Sequence, residues 1–530
     1  MSRKQILLIR SLSLFLAFTM LTTLFVIPAY AKSKVRLSKA KLTITAKKST
    51  TLKLSGTTAK ARWSVSGSKL VTIKTKGSRR HKAVIKAGKK SGTCIVKVKA
   101  GNKTLKCKIT VKPATDPVPV PVPEPEEEFI EKELSGTSID KTSSFKSNTV
   151  TGKAADDLFT RSMTDAAIRM LKYLCQNEQD HTKNILISPD SILTAMAMAE
   201  CGARNNTLVE MERAFGDISA DDLDAYLYVL NKRLTSSENV KYHVANSLWY
   251  KNDKNDITVN DDFIQRNVDF FGAQVFEAPF SSDTLNDINN WVYNHTRGMI
   301  PGILNELDTD TVMILLNAIA FEGEWAEKYS EHYEYEPFYN NEGNLQKRVS
   351  TLKGKENIYV NIGGADGFIK PYKGNEIAFL GLETPQGMTV DNFIQKLTAY
   401  DFITGYEKRS TDYDVITSMP EFKYDYDVSL IDALNDLGIN DAFNDFSADF
   451  TGITPPEQPL VISDVLHKTH IELDRNGTKA AAVTAVIMDK ASAAPGKKPE
   501  KSVILDHPFV YAIIDMESGI PLFIGIMKTA

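Results

Sequence analysis

Cysteine is scarce in this chain. Cys94, Cys107, Cys175 and Cys201 are the only four in 530 residues. That number excludes a disulfide scaffold and a cysteine-based metal cluster. Either neighbouring pair remains able to bridge in an oxidising medium. Beyond residue 31 no stretch approaches the roughly 20 apolar residues that a membrane helix needs. The sequence lacks a G-x-S-x-G elbow, an H-E-x-x-H helix and a phosphate loop. Its eight histidines are scattered, and His467 and His470, three apart, would not share one face of a strand. No catalytic residue, metal ligand or cofactor is therefore assigned, and the chain reads as something other than an enzyme.

Acid is missing from one region altogether. Residues 32–112 hold 25 Lys and Arg and no Asp or Glu. With the three basic residues before them set aside, 36 basic residues remain against all 66 acids, so 113–530 carries a net charge near −30. Such segregation speaks to partners and not to fold. Ahead of the basic region, Arg3, Lys4 and Arg10 precede an apolar run from Leu14 to Ile27 and then Pro28-Ala29-Tyr30-Ala31. Residues 1–31 are thus expected to be a signal peptide cleaved after Ala31, which makes the protein secreted, extracellular and without membrane attachment beyond the leader. An uncleaved leader acting as an anchor is the alternative.

Residues 32–112 alternate apolar and polar in seven short runs, at Val35, Leu42, Thr51, Ala61, Leu70, Cys94 and Leu105, punctuated by glycines. Gly101-Asn102 suits a hairpin turn. Seven short strands in about 80 residues indicate a small all-β sandwich. With S-G-T-C-I-V-K-V near its end, the segment resembles the bacterial group-2 immunoglobulin-like domains of secreted and surface proteins. Its lysines favour an anionic partner such as a cell-wall polymer, which would leave the protein associated with the wall. A soluble spacer is the alternative. Nucleic acid is not expected, because the single aromatic residue, Trp63, sits in an alternating strand and reads as core.

Residues 113–128, P-A-T-D-P-V-P-V-P-V-P-E-P-E-E-E, form a polyproline-type linker, about 50 Å long if fully extended. Residues 129–152 show no core pattern, so 113–153 is taken as linker and polar segment. From Ala154 long amphipathic runs begin. Leu158–Gln176 has helical spacing, and Ser188 is placed to cap a helix with Pro189 at its first position. M-I-L-L-N-A-I-A-F-E-G-E-W (313–325) is apolar enough for a central strand.

The stretch Glu472–Ala494 stands apart. After Gly477, residues Thr478, Ala480, Ala482, Thr484, Val486 and Met488 alternate, so a strand would gather small, uncharged side chains on one face. An alanine-rich helix fits the same residues.

Taken with N-I-L-I-S-P-D-S-I, L-N-A-I-A-F-E-G-E-W, L-H-K-T-H-I-E-L-D-R-N-G-T-K-A-A-A and L-D-H-P-F-V-Y-A-I, the region 154–530 resembles the serpins, inhibitors of serine proteases. The resemblance implies a multidomain chain whose body has an α+β fold: a large central β-sheet, about nine helices and an exposed reactive loop. It implies a hinge at Gly477, Thr478, Lys479, Ala480, Ala481 and Ala482, with Trp325 at the breach of the sheet. Asn184, Ser188, Ser191, Asn317 and His467 would be the polar cluster beneath the opening point. Family spacing sets the reactive bond between Ala491 and Ser492, which suits elastase-like or subtilisin-like proteases. A hinge one residue shorter would move it to Lys490-Ala491 and trypsin-like enzymes. The implied partner is a target serine protease, trapped as a covalent acyl complex when the cut loop inserts as a strand. Lys479 and Arg475 depart from the acids usual there. The rival readings are a non-inhibitory carrier of the same fold and a surface adhesin.

Overall fold

The computed structural model describes residues 34–46, 48–66, 70–88, 90–112, 129–308, 310–330, 334–478 and 498–530. The leader, the linker 113–128, Lys479, Ala480, Ala481, Ala482, Lys490, Ala491 and Ser492 lie outside them. The chain forms two compact units, divided near Glu124.

The first unit contains eight strands between Arg36 and Lys112, in two four-stranded sheets. Strict alternation builds both: Cys94, Val96 and Val98 point inward from Gly92–Ala100, whereas Ile95, Lys97 and Lys99 point out. The eighth strand, Lys82–Ala87, escaped the sequence reading because a glycine and lysines crowd its apolar residues. Gly101 takes φ +58° in the hairpin joining Gly92–Ala100 to Lys103–Lys112. Trp63 is half-buried, and its indole donates to the Arg80 carbonyl at 2.7 Å. Cys94 and Cys107 are buried on adjacent strands but two residues out of register, Cys94 facing Ile109 and Val96 facing Cys107, and all four cysteines of the chain are free.

Nine α-helices and three sheets make up the second unit among the described residues. The large sheet has seven strands: β1 (Ile139–Asp140), β2 (Val240–Lys251), β3 (Gln274–Ala278), β4 (Met313–Glu324), β5 (Phe422–Ser429), β6 (Leu466–Leu473) and β7 (Gly477–Thr478). Their spatial order is β5-β6-β7-β4-β2-β3-β1. A six-stranded sheet runs from Ile185–Ile187 through Pro521–Met527, Phe509–Asp515, Ile377–Glu383 and Ala365–Pro371 to Ile358–Ile362.

Helix α1 (Asp157–Asn177) is capped by Asp156, whose carboxylate accepts from the Phe159 amide at 3.0 Å. Helix α2 (Pro189–Glu200) starts as its sequence dictates: Ser188 caps the Ser191 amide, and Pro189, which has no N–H to satisfy, occupies the first turn. Helix α3 (Ser282–His295) sends Ile288, Trp291 and Val292 into a cluster with Trp249, Phe276, Leu316 and Ala318 of the large sheet. The alternate residues Leu248, Ile319 and Phe321 join the main core, which includes Ile192 and Leu193 of α2 and the six-stranded sheet. Under α3, at β2, β3 and β4, the large sheet is therefore covered on both faces, whereas β5 leaves Lys423, Asp425 and Asp427 exposed on one face.

Residues 129–153, which carry no core pattern, nonetheless pack against this body. Phe129 stacks on Tyr293, and Leu134 packs against the cluster under α3. The buried Asp287 carboxylate accepts from the Ser135 amide (2.6 Å), the Ser135 hydroxyl (2.8 Å) and the Ser138 hydroxyl (2.7 Å). Ile139–Asp140 then adds the edge strand β1 beside β3. The segment is legible only from its partner side chains on α3.

Candidate functional site: the parted end of the large sheet

The short β7 is wedged between β4 and β6. Thr478 pairs with Gly323 on one side and Leu473 on the other, and Gly477 pairs with Glu324. Among the described residues, β4 and β6 are joined only through these two residues. Below them the two strands share no ladder.

The turn that delivers β7 is set by Asp474. Its carboxylate accepts from the amides of Asn476 (2.6 Å) and Gly477 (3.1 Å), and its own amide donates to the Gly477 carbonyl at 2.9 Å. An aspartate that bonds its own backbone two residues on is a known turn-former. Burial pushes this carboxyl up, against the pull of those amides. Trp325 locks the turn from β4: its amide donates to Asn476 O (2.8 Å) and its indole Nε1 to Asp474 O (2.9 Å).

Gly477 is required by close approach and not by φ. A Cβ there would lie 1.9 Å from the Gly323 carbonyl oxygen, and backbone cannot step aside as a flexible side chain can. Thr478 is buried, and its hydroxyl meets the Tyr372 hydroxyl at 2.6 Å. Tyr372 stacks on Trp325 with ring centroids 4.5 Å apart. Behind them the buried Lys370 ammonium pairs with Glu356 at 2.8 Å and lies over the Tyr329 ring. Arg475, in place of the usual acid, is buried: it pairs with Glu421 at 2.6 Å and donates to the Ser330 carbonyl at 3.0 Å.

Four of the five residues expected beneath the opening are brought together. The Ser188 amide donates to His467 Nε2 at 3.1 Å, and its hydroxyl donates to the Leu522 carbonyl at 2.9 Å. The Ser191 hydroxyl donates to Asn317 Oδ1, and Asn317 Nδ2 donates to Asn246 Oδ1 at 2.8 Å. Burial lowers the His467 imidazole to about 4, so it is neutral and accepts. The start of α2 thus holds each flank separately, Ser188 binding β6 and Ser191 binding β4.

Asn184 is a correction to the expected cluster. It stands four residues before Ser188 along an extended segment, and it holds the C-terminal chain instead. Its Oδ1 accepts from the amides of Lys528 (2.7 Å) and Thr529 (2.9 Å), and its Nδ2 donates to Thr529 O. Conversely, the sequence reading missed Asn246, Gly323, Tyr372, Glu421 and Asp474. Asp474-Arg-Asn-Gly carried a turn signal that could have been read; Tyr372 and Glu421 carried none.

Beyond Thr478 the chain is described again from Lys498, and Glu500–Ile504 lies in a different sheet, parallel to Asp414–Pro420. Among the described residues, then, a seven-stranded sheet is entered at one end by two residues of its own chain, and its flanking strands share no ladder of their own. Comparison with known proteins agrees. A family model described as "Serpin (serine protease inhibitor)" matches residues 161–529, and the chain belongs to the serpin family. It is 30% identical over 380 residues to Iripin-2 of Ixodes ricinus, covering 69% of this chain and 92% of that relative. The leukocyte elastase inhibitor of Equus caballus is 30% identical over 365 residues, covering 66% and 94%. Among solved structures, the thermophilic serpin tengpin in its native state is similar at 38% identity and a TM-score of 0.67, covering 74% of this chain and all of that one. Tengpin in its latent state gives 38% and 0.62. Members of this family are mostly protease inhibitors and not enzymes.

Proposed function

We propose that the protein is a secreted serpin that inhibits serine proteases by a suicide-substrate trap, carrying an immunoglobulin-like module ahead of it. The observation that carries this reading is the entry of Gly477-Thr478 between β4 and β6, which share no ladder with each other among the described residues. Each further residue that followed Thr478 into that gap would gain ladder hydrogen bonds at about 1 kcal/mol each. The inward row of Ala480, Ala482, Thr484, Val486 and Met488 would bring no charge with it.

In the proposed reaction the protease serine oxygen attacks the Ala491 carbonyl carbon, the amine of Ser492 departs with the proton, and an ester joins the two proteins. Insertion of the freed segment then drags the protease away before water attacks the ester. The small Ala491 side chain suits elastase-like or subtilisin-like pockets, and a relative named as a leukocyte elastase inhibitor supports that class.

Incubation of the full chain with an elastase, a subtilisin and a trypsin, followed by a denaturing gel, tests this. A band at the summed mass is expected with the first two, and the released C-terminal peptide should begin at Ser492. A peptide beginning at Ala491, with trypsin complex, would move the reactive bond to Lys490. Loop cleavage by all three with no covalent band would leave a substrate and not an inhibitor.

A further inference from the structure

One outer face of the first unit carries an ordered track of charge. Strands Ala61–Ser66, Gly92–Ala100, Lys103–Lys112 and Lys41–Thr45 lie side by side in that order. Their registers set Arg62 opposite Lys99, Lys97 opposite Lys106, and Lys41 opposite Lys108. All six side chains are exposed. Each pair is displaced one strand and two residues from the last, so the cations form a diagonal stripe across the whole sheet. With strands about 4.8 Å apart and alternate residues about 6.7 Å apart, the stripe is roughly 20 Å long. Ser64, Ser66, Ile95, Thr110 and Thr43 flank it on one side, and Thr104 on the other.

Like charges directly opposite one another on a sheet are destabilising. None of the six forms an ion pair among the described residues, and residues 32–112 contain no acid that could relieve them. A spacer kept in solution by charge needs no such alignment, since scattered lysines serve equally well. The opposite sheet is basic too, and serves as the comparison: Lys53, Lys82 and Lys76 stand abreast in a single row, with Arg36, Lys74 and Lys86 beside it.

We propose that this stripe is the docking surface for a linear polyol phosphate polymer, its successive phosphodiesters lying on successive cation pairs and its hydroxyls meeting the flanking Ser and Thr. The absence of an aromatic side chain from the face argues for a polyol backbone over a nucleic acid, whose bases would seek a stacking platform. The surface serves whether or not the second unit traps proteases.

The test uses the full chain and fluorescently labelled poly(glycerol phosphate), with duplex DNA and neutral dextran as further arms. Binding should weaken with salt at a log–log slope of about −4, taking six contacts at roughly 0.7 each by analogy with single-stranded polyanions. A stripe variant, Lys97→Gln, Lys106→Gln and Lys108→Gln, should lower the slope to about half and weaken binding at least tenfold. A control variant with the same charge change, Lys53→Gln, Lys74→Gln and Lys86→Gln, should retain more than half the affinity. Removal of like-charge pairs keeps the stripe variant folded, as its melting temperature will show. Equal losses in the two variants would reduce the stripe to unspecific charge, and tighter binding of DNA would give the face to nucleic acid. Failure of the intact chain to bind the polymer at low salt would also overturn the proposal. Protease complex formation by both variants is measured in parallel and should be unchanged.

Discussion

Thr478→Arg is the perturbation that bears hardest on strand insertion. The native side chain is only 3% exposed and lies between two strands. What holds it there is small: ladder bonds toward Gly323 and Leu473 and one hydroxyl contact to Tyr372, together roughly 3 kcal/mol at about 1 kcal/mol each. A guanidinium in the same place would be an unpaired buried charge, costing several kcal/mol even after relaxation. It would also strand the Tyr372 hydroxyl, at about 1–3 kcal/mol more. The penalty exceeds the gain, so the hinge should leave the sheet and insertion should begin against a raised barrier. At 1.36 kcal/mol per decade, a barrier higher by about 3 kcal/mol slows insertion roughly a hundredfold. Hydrolysis of the ester then wins, and the variant should be cut and released. Stoichiometry on a denaturing gel reads this directly, with Thr478→Ser, which keeps the hydroxyl, as the conservative control. Covalent complex formed by Thr478→Arg at the parental rate and ratio would refute the reasoning, since insertion through this position would then not be needed.

Two further outcomes follow from buried groups. Asp190, at the start of α2, has its carboxyl raised by burial to about 6, with Tyr242 donating to one oxygen at 2.8 Å and the other oxygen unpaired. The folded chain keeps this proton where the unfolded chain, titrating near 3.8, has lost it, so the group adds stability as pH falls from above 6 toward 4. His467 acts in the opposite sense, because the folded ring stays neutral to about 4 while the unfolded ring charges below 6.5, and stability is lost across that window. Each effect is limited to about 3 kcal/mol and the two nearly offset. Asp190→Asn should therefore melt higher than the parent at pH 7.5 and lose that advantage by pH 4.5; parallel melting curves against pH would sink the assignment. Asp287→Ala removes three hydrogen bonds to Ser135 and Ser138 and should cost roughly 2–3 kcal/mol. Limited proteolysis should then release residues 129–153 early, and an unchanged melting temperature with unchanged cutting would count against that anchor.

The sequence disclosed what is governed by local chemistry. Ser188-Pro189 announced the start of α2, alternation announced the strands of the first unit, and the apolar run at 313–325 announced β4. Gly477 was visible as a glycine, but its reason, a carbonyl of Gly323 in the way of any Cβ, needed the fold. Long-range partners were beyond reach for the same reason. Glu421, which neutralises Arg475, and Asp287, which anchors 129–153, are ordinary surface acids until the chain brings their partners to them. Asn184 was grouped with Ser188 because the two are close in sequence, yet an extended backbone carries them apart to different work. The run from Gly477 onward could be read as helix or strand, and Gly477 and Thr478 take the strand.

One arrangement beneath the gap governs where resistance to an incoming strand can lie. Ser188 and Ser191 serve the two flanks independently, and among the described residues no ladder bond joins β4 to β6 at that depth. Control passes upward to the few groups that meet the leading end, Trp325, Gly323 and Tyr372. In the proposed trap the speed should be set at the mouth of the gap, and changes made deeper should alter how firmly the end state is held without altering how soon it is reached.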